Sequence, residues 1–230
     1  MNWRDFWNGT HSIYVNERHR TLHYDCIAKD IGRLVVSPDS TVLDYGCGDA
    51  EASDLVARSS GLLYLYDAAP NVQERLRLRF GRNEKIVVLT TTALEAMNDH
   101  SVDLVIANSV VQYLTHAEFE NMLDMARRKL KSDGRLIVAD VIPPDASAID
   151  DVRALLSFAW QGGFLIPAFI GLVATFFSDY RKLREQLGLT RYAQQDIETL
   201  FAAHGFNAKR APDNIGHNQT RMMFVATPTA

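Results

Sequence analysis

TVLDYGCGDAEASDLVARSS, residues 41–60, decides the fold of this chain. Thr41 to Asp44 is a short β-type run. Gly46 and Gly48 break it, and EASDLVARSS continues as a helix. A strand that ends on glycines and hands over to a helix is the opening of a parallel β–α unit. Glycine there permits tight turning and a close approach of backbone to ligand. The helix that follows starts with free N–H groups, which suit an anion or carboxylate.

The same alternation repeats outward from this stretch. LLYLYD (62–67) reads as a second strand ending at Asp67, and a helix with several arginines follows near Pro70 to Phe80. KIVVLT (85–90) and VDLVIANS (102–109) read as the third and fourth strands. A helix from about Ala117 to Leu130, a turn at SDG (132–134) and a fifth strand at RLIVADV (135–141) complete the series. Strands alternating with helices imply a parallel sheet covered on both faces, and the continuous apolar runs inside the strands agree. QQDIETLFAAHGF (194–206) reads as one more covering helix with a glycine stop. NAKRAP and TRMMFVATP read as two closing strands joined by DNIGHNQ (213–219), a connection of hairpin length, so the last strand runs antiparallel to its neighbours. The expected fold is therefore a doubly wound α/β domain with a seven-stranded, mostly parallel sheet, helices on both faces and an antiparallel last strand. An N-terminal helical cap segment (1–36) precedes the main domain (37–230), which carries a helical insertion at 145–190.

The acidic residues around the turn indicate what it holds. In an open parallel sheet the ligand lies outside the C-terminal strand ends. Asp44 precedes the glycines by two residues, and its carboxylate can receive an ammonium group directly or through water. Asp67 ends the second strand, where an acidic residue accepts hydrogen bonds from both ribose hydroxyls. Two acids around a glycine turn fit a nucleoside that also carries an amino acid. A nicotinamide dinucleotide fits less well. The fingerprint for that ligand is G-x-G-x-x-G or A. GCGDAEA offers only an imperfect match through Ala52, with no tyrosine–lysine proton relay to accompany it.

These segments resemble the class I S-adenosylmethionine-dependent methyltransferases. VLDYGCGDA resembles the first motif of that family, and YLYDAA its second-strand acidic motif. VDLVIANSVVQYL resembles the fourth strand with its loop, and RRKLKSDGRLIVADVIPP the late helix, turn and fifth strand. The likeness covers roughly residues 40 to 142, and GFNAKR to FVATP resembles the closing strands. It implies S-adenosyl-L-methionine as cofactor and S-adenosyl-L-homocysteine as product. By resemblance, Asp44, Gly46 and Gly48 surround the amino acid part, Asp67 holds the ribose and Ala68 lies beside the adenosine. Where the family often has an acid after strand three, this chain has Thr91 and Thr92, whose hydroxyls can still hydrogen-bond adenine. Asn108 and Ser109 would line the methyl-donor pocket. Tyr14 and Arg18 sit in a segment that resembles helices closing over the cofactor. A noncatalytic binding or regulatory protein on the same fold is the competing reading, and the intact DYGCGD turn with Asp67 argues for a working site.

The methyl acceptor is less legible. Transfer needs the acceptor atom in line with the sulfonium methyl, and a base only if the nucleophile must lose a proton. The turn between the last two strands should lie at the cofactor edge, which brings Asn214, His217 and Asn218 forward, with His217 as a candidate base. His116, at the start of the helix after strand four, and Asp140, at the end of strand five, are the other catalytic candidates. Each has a plain structural alternative: a turn histidine, an exposed capping group, a loop hydrogen bond. Arg221 could bind an acidic substituent or simply form an ion pair. The stretch from Ala154 to Ser178 carries no formal charge. Phe158, Trp160, Phe164, Phe169, Phe176 and Phe177 would make an apolar chamber there. That composition points to a small or medium hydrophobic acceptor, aromatic or lipid-like, with O-methylation slightly favoured over N- or C-methylation.

Other classes recede. Net charge is -4, from 24 basic and 28 acidic residues, which gives no electrostatic footprint for nucleic acid. No Pro-Cys motif or Asn-Pro-Pro-Tyr-like loop of nucleic-acid methyltransferases is present; NSVVQY stands after strand four. The histidines and the pair Cys26 and Cys47 show no zinc spacing, so no metal is expected. The apolar run GGFLIPAFIGLVATFF (162–177) is interrupted by glycines and Pro167, which favours a buried cap helix over contact with a membrane surface. The N-terminal stretch lacks the apolar core of a signal peptide, so a cytoplasmic location is the default expectation. The sequence leaves the oligomeric state open.

Overall fold

A computed structural model describes residues 3–8, 14–176 and 188–229. Its centre is a seven-stranded sheet in the order β3-β2-β1-β4-β5-β7-β6. The strands are β1 (Thr41–Tyr45), β2 (Leu62–Tyr66), β3 (Ile86–Leu89), β4 (Val102–Asn108), β5 (Leu130–Val141), β6 (Phe206–Arg210) and β7 (Met222–Pro228). The first five are mutually parallel, and β7 inserts antiparallel between β5 and β6. The order reverses at β1 and β4, whose C-terminal ends therefore flank the crevice where such sheets bind ligands.

Helices cover both faces. On one side α2 (Glu17–Leu34), α3 (Ser53–Ser59) and α4 (Pro70–Phe80) bury Ala28, Ile31, Val56, Leu76 and Phe80 against Val42, Leu63 and Leu65. On the other, α5 (Thr91–Ala96), α6 (His116–Lys129) and α9 (Gln194–Ala203) bury Leu94, Phe119, Leu123 and Phe201 against Val105, Leu136 and Phe224. Helix α6 starts at a capping box. The Thr115 side chain accepts the Glu118 N–H, and the Glu118 side chain accepts the Thr115 N–H. Preceding α2 is a short helix α1 (Trp3–Asn8). Trp3 and Trp7 pack their rings on Tyr113, with centroids 4.7 and 5.5 Å away, so they anchor the segment beside the loop after β4.

Among the described residues the insertion after β5 contains a hairpin of two helices, α7 (Ala148–Gly162) and α8 (Leu165–Phe176). Gly163, at φ 70°, ends α7 in the left-handed conformation, which lets the chain turn back. Among the described residues no helix is long and apolar enough to cross a membrane.

A helix that the sequence reading did not include follows β3: Thr90 accepts the Ala93 N–H and starts α5. Two expectations need correction. The SDG turn does not separate a helix from a strand: β5 runs unbroken from Leu130, and its pairing with β4 absorbs the irregularity between Val102 and Leu104. The cap aromatics divide. Phe158 and Phe164 pack inward, whereas Trp160 and Phe169 are 76% and 65% exposed and line no chamber. A helix surface cannot turn every aromatic to one side. The Phe176 side chain and Phe177 lie outside the described residues.

Candidate active site

The glycine turn is fixed by the neighbouring strand. The N–H groups of Gly46 and Cys47 both donate to the Tyr66 carbonyl, at 2.7 and 3.1 Å. Gly46 has φ 70°, and a Cβ there would stand 2.5 Å from a Val110 methyl. Only glycine fits. The Asp67 carboxylate then bridges two elements, accepting the Gly48 N–H at 3.1 Å and the Ala69 N–H at 2.8 Å. Burial raises the Asp67 pKa, and these two backbone donors oppose the rise. Among the described residues no such backbone donor reaches Asp44. Burial, reinforced by the charge of Asp67, pushes its pKa up to about 7. A half-buried carboxyl held this way gains from an incoming cation.

Asp44 and Asn108 form the polar end of a cavity of about 50 Å³ whose other walls include Tyr24, Ile27 and Cys47. Asn108 Oδ1 is buried there without a hydrogen-bond partner. Ala68 is exposed beside Asp67. Thr91 lies in the first turn of α5 with its hydroxyl 3.3 Å from the Tyr66 hydroxyl, and Thr92 next to it is exposed.

Helix α2 covers this edge. Tyr14 hydrogen-bonds Tyr24 and packs on His19 and His23, and burial pushes its pKa up to about 12. Arg18 does not face the glycine turn. It is exposed and donates to the Gly162 carbonyl at the end of α7, so it ties α2 to the cap. The residue that reaches the turn is Arg20, which pairs with Glu51 and lies 3.9 Å from Asp49. Arg75 and Arg79 of α4 hold the same two acids at 2.8 and 3.0 Å. Residues two apart on a helix project to nearly opposite sides. Arg20 shares the face of Tyr24 through i,i+4 spacing, a signal that was present in the sequence.

A second cluster lies at the ends of β4 and β5. Ser109 and Asp140 adopt positive φ, 58° and 60°, an arrangement that costs non-glycine residues energy and collects at functional sites. Asp140 stands where the β5–β7 register shifts between Val138 and Val141. Its carboxylate accepts from the Ser109 hydroxyl at 2.8 Å and from the Gln112 side chain, and its N–H donates to Asn214 Oδ1 at 2.9 Å. Burial raises its pKa. His217, in the β6–β7 turn, stacks on Phe158 of α7 with centroids 4.5 Å apart. His19 stacks on Phe164 at 5.0 Å, and His23 lies 5.9 Å from His217. Burial lowers all three histidines, helped at His19 and His23 by repulsion from the neighbouring rings and opposed at His217 by Asp151; His19 falls to about 4 and His23 to about 3, so all three are neutral at pH 7.

The structure thus brings Asp44, Gly46, Gly48, Asp67, Asn108, Ser109 and Asp140 to one sheet edge, with Tyr14 and His217 beside them. His116 stays apart. It is exposed on α6, with Nε2 3.6 Å from Glu120. His19 and His23, which the sequence did not single out, pack their rings with Phe158, Phe164 and His217. Among the described residues no group of histidine, cysteine or acidic side chains is arranged to hold a metal ion.

With this geometry in place, comparison with known proteins is informative. Residues 43–138 match the family model described as methyltransferase domain. Ribosomal protein L11 methyltransferase from Cupriavidus taiwanensis is 32% identical over 116 residues, which are 50% of this chain and 36% of that protein. The chain thus spans well under half the length of the curated relatives it matches. Magnesium protoporphyrin IX methyltransferase from Synechocystis PCC 6803, solved with S-adenosylhomocysteine, superposes with a TM-score of 0.58 at 18% identity, covering 99% of this chain and 93% of that one. A 1,6-didemethyltoxoflavin-N1-methyltransferase from Burkholderia thailandensis gives 0.55 at 12% identity, covering 89% and 79%. Residues 43–138 are thus similar to a methyltransferase domain, and the chain shares the fold of the two solved methyltransferases.

Proposed function

We propose that this chain transfers the methyl group of S-adenosylmethionine to a small or medium apolar acceptor, oxygen being the favoured atom. One observation carries the cofactor half. A half-buried carboxyl, Asp44, with its pKa pushed up to about 7, stands beside a glycine turn whose next acid, Asp67, is anchored by backbone donors. An ammonium group supplies the positive charge that Asp44 lacks, and the free edge of Asp67 suits a ribose diol. Asn108 Oδ1, buried and unpartnered, offers a further acceptor at the same cleft. The cavity is far smaller than the roughly 300 Å³ or more of an ordinary ligand site. Binding on this reading therefore displaces α2, which Arg20 clasps to Glu51.

S-adenosylmethionine, when bound, would supply an electrophilic methyl carbon whose bond to sulfur breaks as the acceptor oxygen takes the methyl, its electron pair staying on sulfur as a neutral thioether. The proton of the acceptor hydroxyl passes to Asp140, which its raised pKa makes a better proton acceptor than an ordinary carboxylate. Neutral His217 and the rings around it position an apolar body and exclude water. A small molecule agrees with the names of two similar structures, for magnesium protoporphyrin IX and 1,6-didemethyltoxoflavin. The curated relatives are named for a ribosomal protein, but the match to them covers only 50% of this chain.

Calorimetric titration with S-adenosylhomocysteine tests the reading. Micromolar-range binding is expected, weakened at least about tenfold by Asp67→Ala, since hydrogen bonds to a charged group contribute about 1.5–3 kcal/mol. Folded protein that ignores both S-adenosylmethionine and S-adenosylhomocysteine would overturn it.

A further inference from the structure

We propose that Arg221 Nη1 and Gln112 Oε1 form a donor–acceptor pair that holds an uncharged carboxamide-like edge on the methyl acceptor. The inference deepens the methyl-transfer reading and rests on it for the identity of the site.

Both side chains are buried, and both are satisfied on one side only. Arg221 precedes β7 with its side chain 8% exposed, and its Nη2 donates to Asp151 Oδ1 of α7 at 2.5 Å. Its Nε lies 3.9 Å from Asp140 Oδ1. Nη1 has no partner. Gln112, 5% exposed in the short helical turn after β4, hydrogen-bonds Asp140 through its side chain and leaves Oε1 without a partner. A buried polar atom left unmatched costs roughly 1–3 kcal/mol, so native structures rarely hold two around one carboxylate without a use for them. One of these atoms donates and the other accepts. Asp140 is their common neighbour, which sets them around the residue assigned to receive the proton.

Charge then selects the ligand. Two carboxylates, Asp140 and Asp151, surround one guanidinium. His19, His23 and His217 add no positive charge at neutral pH. A carboxylate ligand would meet an excess of negative charge and give Gln112 Oε1 no proton. A carboxamide, a lactam or a neighbouring hydroxyl and carbonyl presents one acceptor and one donor with no charge. The body behind that edge packs on the stacked Phe158–His217 pair, because Asp151 and Phe158 are seven residues apart on one face of α7.

The probes are 2-naphthamide and its isostere 2-naphthoate, titrated into the protein at neutral pH with and without saturating S-adenosylhomocysteine. The amide is expected to bind at least about tenfold more tightly than the carboxylate. Gln112→Met and Arg221→Lys should each weaken the amide about tenfold and leave S-adenosylhomocysteine affinity within about twofold, the scale of one buried hydrogen bond. Should Arg221→Lys fail to fold, Gln112→Met decides alone. Equal or tighter binding of 2-naphthoate, or an amide affinity unmoved in folded Gln112→Met, overturns the pair. Loss of S-adenosylhomocysteine binding in the parent protein instead overturns the cofactor reading, while the amide–carboxylate contrast still reports on the pair.

Discussion

The two halves of the site are built differently. The cofactor half lies on one β–α–β–α run: Asp44, Gly46, Gly48, Asp67 and Ala69 belong to β1, β2 and the turns that follow them. Its bonds start from backbone N–H groups, those of Gly46 and Cys47 to the Tyr66 carbonyl and those of Gly48 and Ala69 to the Asp67 carboxylate. The acceptor half joins α2, the loop after β4, the end of β5, the cap hairpin and the β6–β7 turn. Its contacts are side-chain stacks and hydrogen bonds that span most of the chain, such as Arg18 to Gly162 and Arg221 to Asp151. Turn chemistry fixes the first half, and long-range packing fixes the second. The two halves should therefore fail in different ways.

The largest effect is expected at the turn. Gly46→Ala places a methyl 2.5 Å from Val110 and holds alanine at φ 70°. Left-handed alanine costs about 1–2 kcal/mol, and overpacking adds about 1–3. A loss near 3 kcal/mol in urea unfolding is expected (~3 kcal/mol). Gly48→Ala meets nothing within 4 Å and carries only the φ cost, about 1 kcal/mol. Equal losses at the two positions would show that close approach to Val110 does not set the turn.

In the acceptor half the contrast lies within one helix. Phe158 stacks on His217 and meets Phe164 edge-on, whereas Trp160 stands 76% exposed two residues later. Phe158→Ala is expected to lose about 2 kcal/mol, below the roughly 3–5 of a fully buried phenylalanine, and to weaken binding of aromatic probes. Trp160→Ala should stay within about 0.5 kcal/mol, as for a surface change. If Trp160→Ala proves the costlier of the two, the inward and outward faces of α7 have been assigned the wrong way round.

The same division explains what the sequence made legible. The order of the strands was readable from apolar runs, glycine stops and loop lengths, because these are short-range signals, but not where β5 begins, because SDG reads as a turn. Helix α5 was not readable: a single capping threonine, Thr90, starts it, within a stretch too short to show a period. Asp44 and Asp67 were legible because each ends a strand beside a turn. His19 and His23 were not, nor was the pairing of Phe158 with His217, since no local pattern says which of the chain's rings will meet. Arg18 and Arg20 mark the boundary. Only the helical phase separates them, and that phase can be judged once a partner on the same face, Tyr24, is known to line the cleft.

The smallest effect is the one that tests the cofactor half most directly. In the folded chain the pKa of Asp44 is pushed up to about 7 from 3.8, so between these values the folded state keeps a proton that the unfolded state has released. Its contribution to stability is therefore present at low pH and lost as pH rises through about 7. A bound ammonium group acts in the opposite sense, because it favours the charged carboxylate. S-adenosylhomocysteine should then expel the proton and bind more tightly as pH rises toward 7, by at most about tenfold per pH unit, with the gain levelling off above that. 5′-Methylthioadenosine has the nucleoside but not the amino acid, and its affinity should be nearly flat over the same range. Asp67 faces Asp44 and is itself raised, so the slope belongs to the pair until Asp44→Asn removes one member. Calorimetry in buffers of different ionisation enthalpy counts the protons released. A proton released with S-adenosylhomocysteine, absent with 5′-methylthioadenosine and absent in Asp44→Asn, puts the ammonium at Asp44. Equal slopes for the two ligands would move it elsewhere, and the cofactor half would then depend on the fold as much as the acceptor half does.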